Sequence, residues 1–511
     1  MQIIRDCAES WNKFGWYRPR HSNEVDKRTT WHIMQSNNWT PPLPRSSAQR
    51  LYDPSGSYIA SRFNIIKEFS DVVLIWNTAS ESIIALSLEE KKALDNFLGS
   101  REDIDQSFVA SLYDLGVIVD EEEDEFFKFD FIRKRSITNS NKIKSFIIIP
   151  TTKCNARCFY CFAGEDTKTQ KTMSQETIVD VSNFIVSQLK PDDEIVYRWF
   201  GGEPLLYTNI IDEIITRVHE MAPQNEYHSI ITTNSSLMSD ELLDKAVELW
   251  HLRKIQIPLD GYRKKHEIRK RYYDESCDYY EQLISLMRKL LDKGINTTCR
   301  FNMDMENIHD LKLVLRDFKP FTQLQRFYFQ PIPLHTPKNI VNMMKYVGKE
   351  NYHEFWDIVY NTLYDEGYLN DINRLLPRRS QSVCTAMLNN FFLINADGNL
   401  FRCDQELHSE ENCVGNCKRG VVHNKNLRKW LDDSLSSECT DCEFLPICQG
   451  GCKFYRMRED PNLAPCVEHK FISDILLDMV YRIYDKNTQG NCADLNPVLR
   501  CEHSTYSGNV Q

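Results

Sequence analysis

Thr152-Lys153-Cys154-Asn155-Ala156-Arg157-Cys158-Phe159-Tyr160-Cys161-Phe162 spaces three cysteines as C-x3-C-x2-C, directly after the apolar run Phe146-Ile147-Ile148-Ile149. Three thiolates on one short loop can hold three irons of a [4Fe–4S] cubane and leave the fourth iron open to an outside ligand. A structural zinc takes four protein ligands and a disulfide takes two, so the triad is odd for either.

Outward from this loop, residues 144–333 alternate strands and helices. Segments 146–149, 195–200, 229–233, 254–259, 297–303 and 327–331 read as strands. Between them lie amphipathic patterns such as Tyr279, Leu283, Leu286 and Leu290, ended at Gly294. Such alternation builds parallel βαβ units. Six units predict an α/β fold, a partial (β/α)6 TIM-like barrel open on one side, with active groups at the C-terminal strand ends. The cysteine triad follows one such end. Gly201-Gly202-Glu203-Pro204 follows the next, where paired glycines admit close backbone approach and Glu203 can accept from an ammonium. Then come Thr232-Thr233-Asn234-Ser235, and Leu259-Asp260-Gly261 with His266 and Arg269 beyond. Arg300 and Asn302 alternate to one face of the fifth strand.

This constellation, with Tyr160 just ahead of the third cysteine, resembles the radical S-adenosylmethionine (SAM) enzymes. The resemblance implies that the open iron binds the amine and carboxylate of SAM, and that one electron cleaves it to a 5′-deoxyadenosyl radical. It also implies a SAM site made of Tyr160, Gly201, Gly202, Glu203, Asn234, Arg300 and Asn302. Relatives often carry a ribose-contacting serine two residues before the aspartate; here Pro258 stands there. The arginine expected near the following helix start is contested by Arg269, Lys270 and Arg271.

Further along, Cys384-x13-Gly398-x4-Cys403 is followed by Cys439-x2-Cys442-x5-Cys448-x3-Cys452 and then Cys466. This seven-cysteine pattern resembles the SPASM extension of radical SAM peptide maturases. The resemblance implies two auxiliary [4Fe–4S] clusters. Cys384, Cys403 and Cys452 would ligate the first, and Cys439, Cys442, Cys448 and Cys466 the second. By spacing alone zinc is also permitted. Cys413 or Cys417 could complete the first set, or that position could stay open to substrate.

Residues 57–134 read as three strands (61–66, 72–76, 82–86) and two helices. A capping box from Ser87 to Glu90 opens the first helix and Gly99 closes it; Phe108, Leu112 and Leu115 line the second, which ends at Gly116. This winged-helix-like order, with Asn77-Thr78, resembles the peptide-recognition domain fused to peptide-modifying radical enzymes. In those relatives a leader peptide adds a strand to the sheet edge. The acidic run 120–125 reads as a solvated linker. Residues 1–56, with Trp11, Trp16, Tyr17, Trp31, Trp39, Pro41, Pro42 and Pro44, form an unassigned extension. Residues 334–379 form a linker, helical around 352–368, and 380–470 the cysteine-rich domain. In the tail 471–511, a helix near 470–484 turns Phe471, Ile475, Leu476, Met479 and Ile483 inward; Cys492 and Cys501, like Cys7, read as bystanders.

The totals set bounds. A chain of 511 residues is too long for one core, and 41% hydrophobic with 26% charged is ordinary for a globular protein. A net charge of −11 argues against a nucleic-acid partner. No apolar run is long enough to span a membrane, and no signal peptide is apparent. Seventeen cysteines in that context read as metal ligands in a reducing cytoplasm. The expected function is a maturase that installs a thioether or carbon–carbon crosslink in a ribosomally made precursor peptide with a leader. Flavodoxin or ferredoxin would supply electrons, and Asp260, His266 or another strand-end group would take a proton. The alternatives are a sulfatase-maturase-like oxidation of Cys or Ser to formylglycine, and a non-catalytic iron–sulfur peptide-binding or electron-transfer protein.

Overall fold

A computed structural model describes residues 2–5, 52–100, 104–138, 142–161, 170–321, 324, 326–334, 351–369, 372–379, 383–407, 409–458, 466 and 468–489. Trp11, Trp16, Tyr17, Trp31, Trp39, Pro41, Pro42 and Pro44 of the N-terminal extension, with Cys7, Phe162, Cys492 and Cys501, lie outside the described residues.

The first sheet is built from β1 (Gln2–Arg5), β3 (Asn64–Glu68), β4 (Val72–Asn77) and β5 (Ile83–Ser87) in the order β1-β5-β4-β3, with β2 (Tyr58–Ala60) paired to β6 (Ile118–Asp120) beside it. The capping box forms as expected: the Ser87 backbone N–H donates to Glu90 Oε2 at 2.9 Å, and the Glu90 N–H donates to Ser87 Oγ at 3.2 Å. Gly99 does not end that helix, which runs Leu88–Ser100. The acidic run is more than a solvated linker. Asp120 ends β6 and accepts from Tyr113, while Glu125 opens the helix Glu125–Thr138 and accepts from Ser61 Oγ and the Arg62 N–H. The unassigned N-terminus supplies β1, which pairs antiparallel with β5 (Ile3 opposite Ile84). One edge of this sheet is therefore already taken by the chain itself.

The large sheet begins with six parallel strands in sequential order: β7 (Ile143–Ile148), β8 (Glu194–Trp199), β9 (Tyr227–Thr232), β10 (Leu252–Leu259), β11 (Asn296–Met303) and β12 (Phe327–Pro333). Their crossover helices bury an apolar stripe against it, for example Ile210, Ile211, Ile214, Ile215 and Val218 of Thr208–Met221. The helix Tyr279–Asp292 buries Tyr279, Leu283, Leu286 and Leu290, and Gly294 follows at φ +75°. This is the α/β arrangement expected of a partial barrel, with one addition. The β7 edge carries β13 (Phe391–Ile394) in parallel, then β14 (Asn399–Phe401), β15 (Gly415–Asn416) and β16 (Gly420–Val421) in antiparallel. The cysteine-rich segment thus continues the barrel sheet.

The linker helix Tyr352–Asp365 and the helix Ser473–Gln489 pack into the main core. Ile475, Leu476, Met479 and Ile483 are buried as expected, but Phe471 is 45% exposed, because it sits in the short turn ahead of the helix. The N-terminal module leans on both later parts. Arg62 and Thr78 donate to the carbonyls of Thr440 and Glu443, and Phe69 stacks on Tyr481 with ring centroids 4.0 Å apart.

Candidate active site and cysteine cavities

The loop after β7 turns sharply and is held by the loop after β8. Gly202 N–H donates to Thr151 O at 3.1 Å, and Glu203 N–H to Lys153 O at 2.8 Å. A Cβ on Gly202 would stand 2.2 Å from Lys153 O; one on Gly201, at φ +129°, would stand 2.5 Å from Thr151 O. The paired glycines do serve a close approach, but in this structure it is to the backbone of the cysteine loop.

Glu203 is fully buried. Its carboxylate accepts from the Leu205 N–H (3.0 Å), Thr233 Oγ1 (2.7 Å) and the Asn234 N–H (2.8 Å), tying the end of β8 to the end of β9. Burial pushes its pKa up against those hydrogen bonds. Asn234 then faces the triad: its amide donates to Asn155 Oδ1 at 2.8 Å and reaches Cys154 Sγ at 3.9 Å.

Deeper in the mouth, Tyr160 turns inward and donates to Asp260 at 2.7 Å. Asn302 donates to both Tyr160 Oη (3.0 Å) and Asp260 Oδ1 (2.9 Å), and Lys270 Nζ lies 3.1 Å from Asp260 Oδ2. Burial raises Asp260, but the Lys270 charge and these hydrogen bonds outweigh it and hold the carboxyl below its ordinary value. Asp260 is thus a buried carboxylate that gathers Tyr160, Asn302 and Lys270 around it. His266 Nδ1 accepts from the Asp260 N–H, its Nε2 is buried without a partner, and burial depresses its pKa to about 3. The imidazole stays neutral. Asp260 and His266, the candidate proton acceptors, thus sit together at the end of β10, joined by the Asp260 N–H to His266 Nδ1 at 3.2 Å.

The charge run 269–271 is resolved by the phase of the helix Lys264–Lys270. Arg269 enters a buried ion pair with Asp304 at 2.7 Å and lies over the Phe159 ring at 4.7 Å. Lys270 enters the Asp260 network, and Arg271 is exposed. Arg300 and Asn302 do share a face, joined by Arg300 Nε to Asn302 Oδ1 at 3.1 Å. Sequence reasoning left Lys270 as one of three contending cations, and missed Tyr272, whose backbone bridges to Ala156 and whose ring stacks on Tyr279 at 3.8 Å. With Tyr279 and Ala156 it packs against Cys154 and Cys158. Only the helix phase and the bridge, both set by tertiary contacts, distinguish these residues from other loop positions.

Burial pushes the Cys154 thiol up to about 11 and the Cys158 thiol up to about 12, outweighing the Lys270 charge that favours their thiolates. A bound metal would supply the charge that holds them as thiolates. Among the described residues none of the cysteines is in a disulfide. Nor do any three His, Cys, Asp or Glu among them converge on one metal ion. The later cysteines form two groups instead. Cys439, Cys442, Cys448 and Cys466 line one cavity, together with Arg456 and Lys470. Cys384 lies in the field of Cys452, and Cys403 in that of Cys384, beside Trp430 and Phe454. Buried Arg402 braces this second group by donating to the carbonyls of Ala386, Leu388 and Phe391. Cys413 packs with Ile149, Leu393 and Phe401, and Cys417 faces Asp180 and Cys413. Cys413 thus packs in a different apolar cluster from Cys403 and Cys452.

Residues 148–318 match the Radical SAM superfamily model. The chain is 30% identical over 119 residues to an uncharacterized protein of Methanocaldococcus jannaschii, covering 23% of this chain and 39% of that protein. It is 21% identical over 413 residues to a radical SAM cyclopropyl synthase of Paramaledivibacter caminithermalis, covering 71% and 81%. It is 22% identical over 356 residues to a serine-type anaerobic sulfatase-maturating enzyme of Bacteroides thetaiotaomicron, covering 61% and 83%. The structure of native anSMEcpe with bound AdoMet and Cp18Cys peptide superposes with a TM-score of 0.52 at 15% identity, over 68% of this chain and 99% of that one, which shows a shared fold. Among the described residues no helix is long and apolar enough to cross a membrane. Residues 148–318 of this chain form a radical SAM domain.

Proposed function

We propose that this chain is a radical SAM maturase that installs a thioether or carbon–carbon crosslink in a ribosomally synthesised peptide. The observation that carries this reading is the convergence of the Cys154/Cys158/Cys161 loop with the ends of β8, β9, β10 and β11, in a chain that also groups four later cysteines around one cavity. A [4Fe–4S] cluster on the triad would supply the reductive cleavage of SAM. The chain's own part is to hold and orient. Gly201 and Gly202 lock the triad loop, Asn234 is aimed at Cys154, and Arg300 has guanidinium donors beyond its bond to Asn302 for a carboxylate. Cys384, Cys403 and Cys452 would hold one auxiliary cluster, with Cys439, Cys442, Cys448 and Cys466 holding the other. A flavodoxin or ferredoxin would deliver the electron. The module at 57–134 would receive the leader peptide, and its β5 edge is open to a leader only when β1 is displaced.

The test is anaerobic. The protein is reconstituted with iron and sulfide, reduced and given SAM, and 5′-deoxyadenosine is quantified against a Cys154→Ala/Cys158→Ala/Cys161→Ala variant. Candidate peptides encoded beside this chain are then added and followed by mass spectrometry. Product from the wild type alone supports the reading; no product from an iron-loaded wild type with any candidate peptide counts against it. Likeness to a sulfatase-maturating enzyme favours a second reading, oxidation of Cys or Ser to formylglycine. A hydrazide probe that labels the product would select it, since a crosslink carries no aldehyde.

A further inference from the structure

One cationic side chain stands out against the cavity of Cys439, Cys442, Cys448 and Cys466. Arg456 lies in the short helix Lys453–Arg458, one turn beyond Cys452, and its side chain lines that cavity. Nε and Nη2 are shut off from solvent and have no hydrogen-bond partner, while Nη1 reaches Ser434 O at a long 3.5 Å. Burying guanidinium donors without acceptors is costly, because their hydration is lost and nothing replaces it. Such donors point to an acceptor that the chain does not itself provide.

The seat for this guanidinium is built. Gly450 has φ +91°, and a Cβ there would stand 2.6 Å from Leu435 Cδ2 and 3.2 and 3.3 Å from Arg456 Nη1 and Nη2. The glycine lets the guanidinium lie against the backbone. The N–H of the same Gly450 donates to Cys448 Sγ at 3.4 Å. Lys470 also lines the cavity, in the fields of Cys442 and Cys466. Two cations, the Gly450 N–H and Ser436 Oγ, 3.3 Å from Cys439 Sγ, thus surround four thiols, with Glu438 a carboxylate on the same lining. A group bound by four thiolates is anionic, and its reduction potential is set by net charge and by hydrogen bonds to its sulfurs.

We propose that Arg456 is the charge partner of an iron–sulfur cluster held by these four cysteines. It directs Nε–H and Nη2–H at the cluster's sulfurs and raises its reduction potential. The inference rests on reading the four cysteines as cluster ligands. A fixed positive charge stabilises the more negative, reduced form of the cluster, so this site accepts an electron more readily than the same cysteines would without Arg456. Arg456 is a positioning and tuning residue, because it ligates no metal.

The test uses the full chain, reconstituted anaerobically with iron and sulfide, and titrated potentiometrically with the reduced cluster followed by electron paramagnetic resonance. Arg456→Gln is expected to keep the iron content and shift this cluster's midpoint to a more negative value, with Arg456→Lys in between. An unchanged midpoint in Arg456→Gln at equal iron content overturns the proposal. If Arg456→Gln loses iron, Arg456→Lys decides. Retention by the lysine variant supports the charge role, and equal loss by both makes Arg456 a packing residue and overturns it. The reading beneath fails separately, if Cys439→Ala/Cys442→Ala binds as much iron as the wild type.

Discussion

Lys270 Nζ stands 3.1 Å from Asp260 Oδ2 at the mouth of the barrel, with neither residue more than 2% exposed. A buried ion pair of this kind adds little net stability, but removing one partner strands the other charge. Lys270→Met and Asp260→Asn are each expected to destabilise the protein by about 3–5 kcal/mol. The double variant should recover much of that loss. Denaturant unfolding of the four proteins checks it, and additive losses would show that the two side chains act independently.

Glycine substitutions should separate the site from the periphery. Gly202→Ala puts a Cβ 2.2 Å from Lys153 O, so the triad loop must shift; the variant is expected to lose most iron bound by Cys154, Cys158 and Cys161. Gly99→Ala lies in a helix with nothing within 4 Å of the new Cβ, and is expected to stabilise by about 0.5–1 kcal/mol. Iron analysis and thermal melts read the two outcomes.

His266 predicts an acid limb in stability. Its folded pKa is depressed to about 3, whereas the unfolded chain titrates near the ordinary value of about 6.5. Between those values the unfolded state binds the proton and the folded state does not. Stability therefore falls with falling pH, by up to about 1.4 kcal/mol per pH unit from this residue. Urea midpoints of His266→Gln from pH 7 to 4 should slope less steeply than those of the wild type; parallel slopes would show that His266 is not the group involved.

The pairing of β1 with β5 makes a local prediction. Deleting residues 2–5 removes the strand that covers the Ile83–Ser87 edge. Amide hydrogen exchange there should speed up, while that of β8 and β9 stays unchanged. Equal protection in both proteins would mean that β1 does not hold the edge in solution.

Much of the barrel was legible from the chain alone, because strand and helix periods, capping boxes and cysteine spacings are relations between near neighbours. The triad, the order of six parallel strands, the Ser87–Glu90 box and the inward stripe of Tyr279–Asp292 are all of that kind. What the tertiary structure decided are relations between distant residues. Spacing could not say which of Arg269, Lys270 and Arg271 would enter the site; the packed phase of one helix did. Nor could it show that Asp260 would be enclosed by Tyr160, Lys270 and Asn302. The addition of β1 to one sheet and of β13 to the other joins residues far apart in sequence. Such pairings depend on which surfaces meet once the chain has folded, and no local period encodes that.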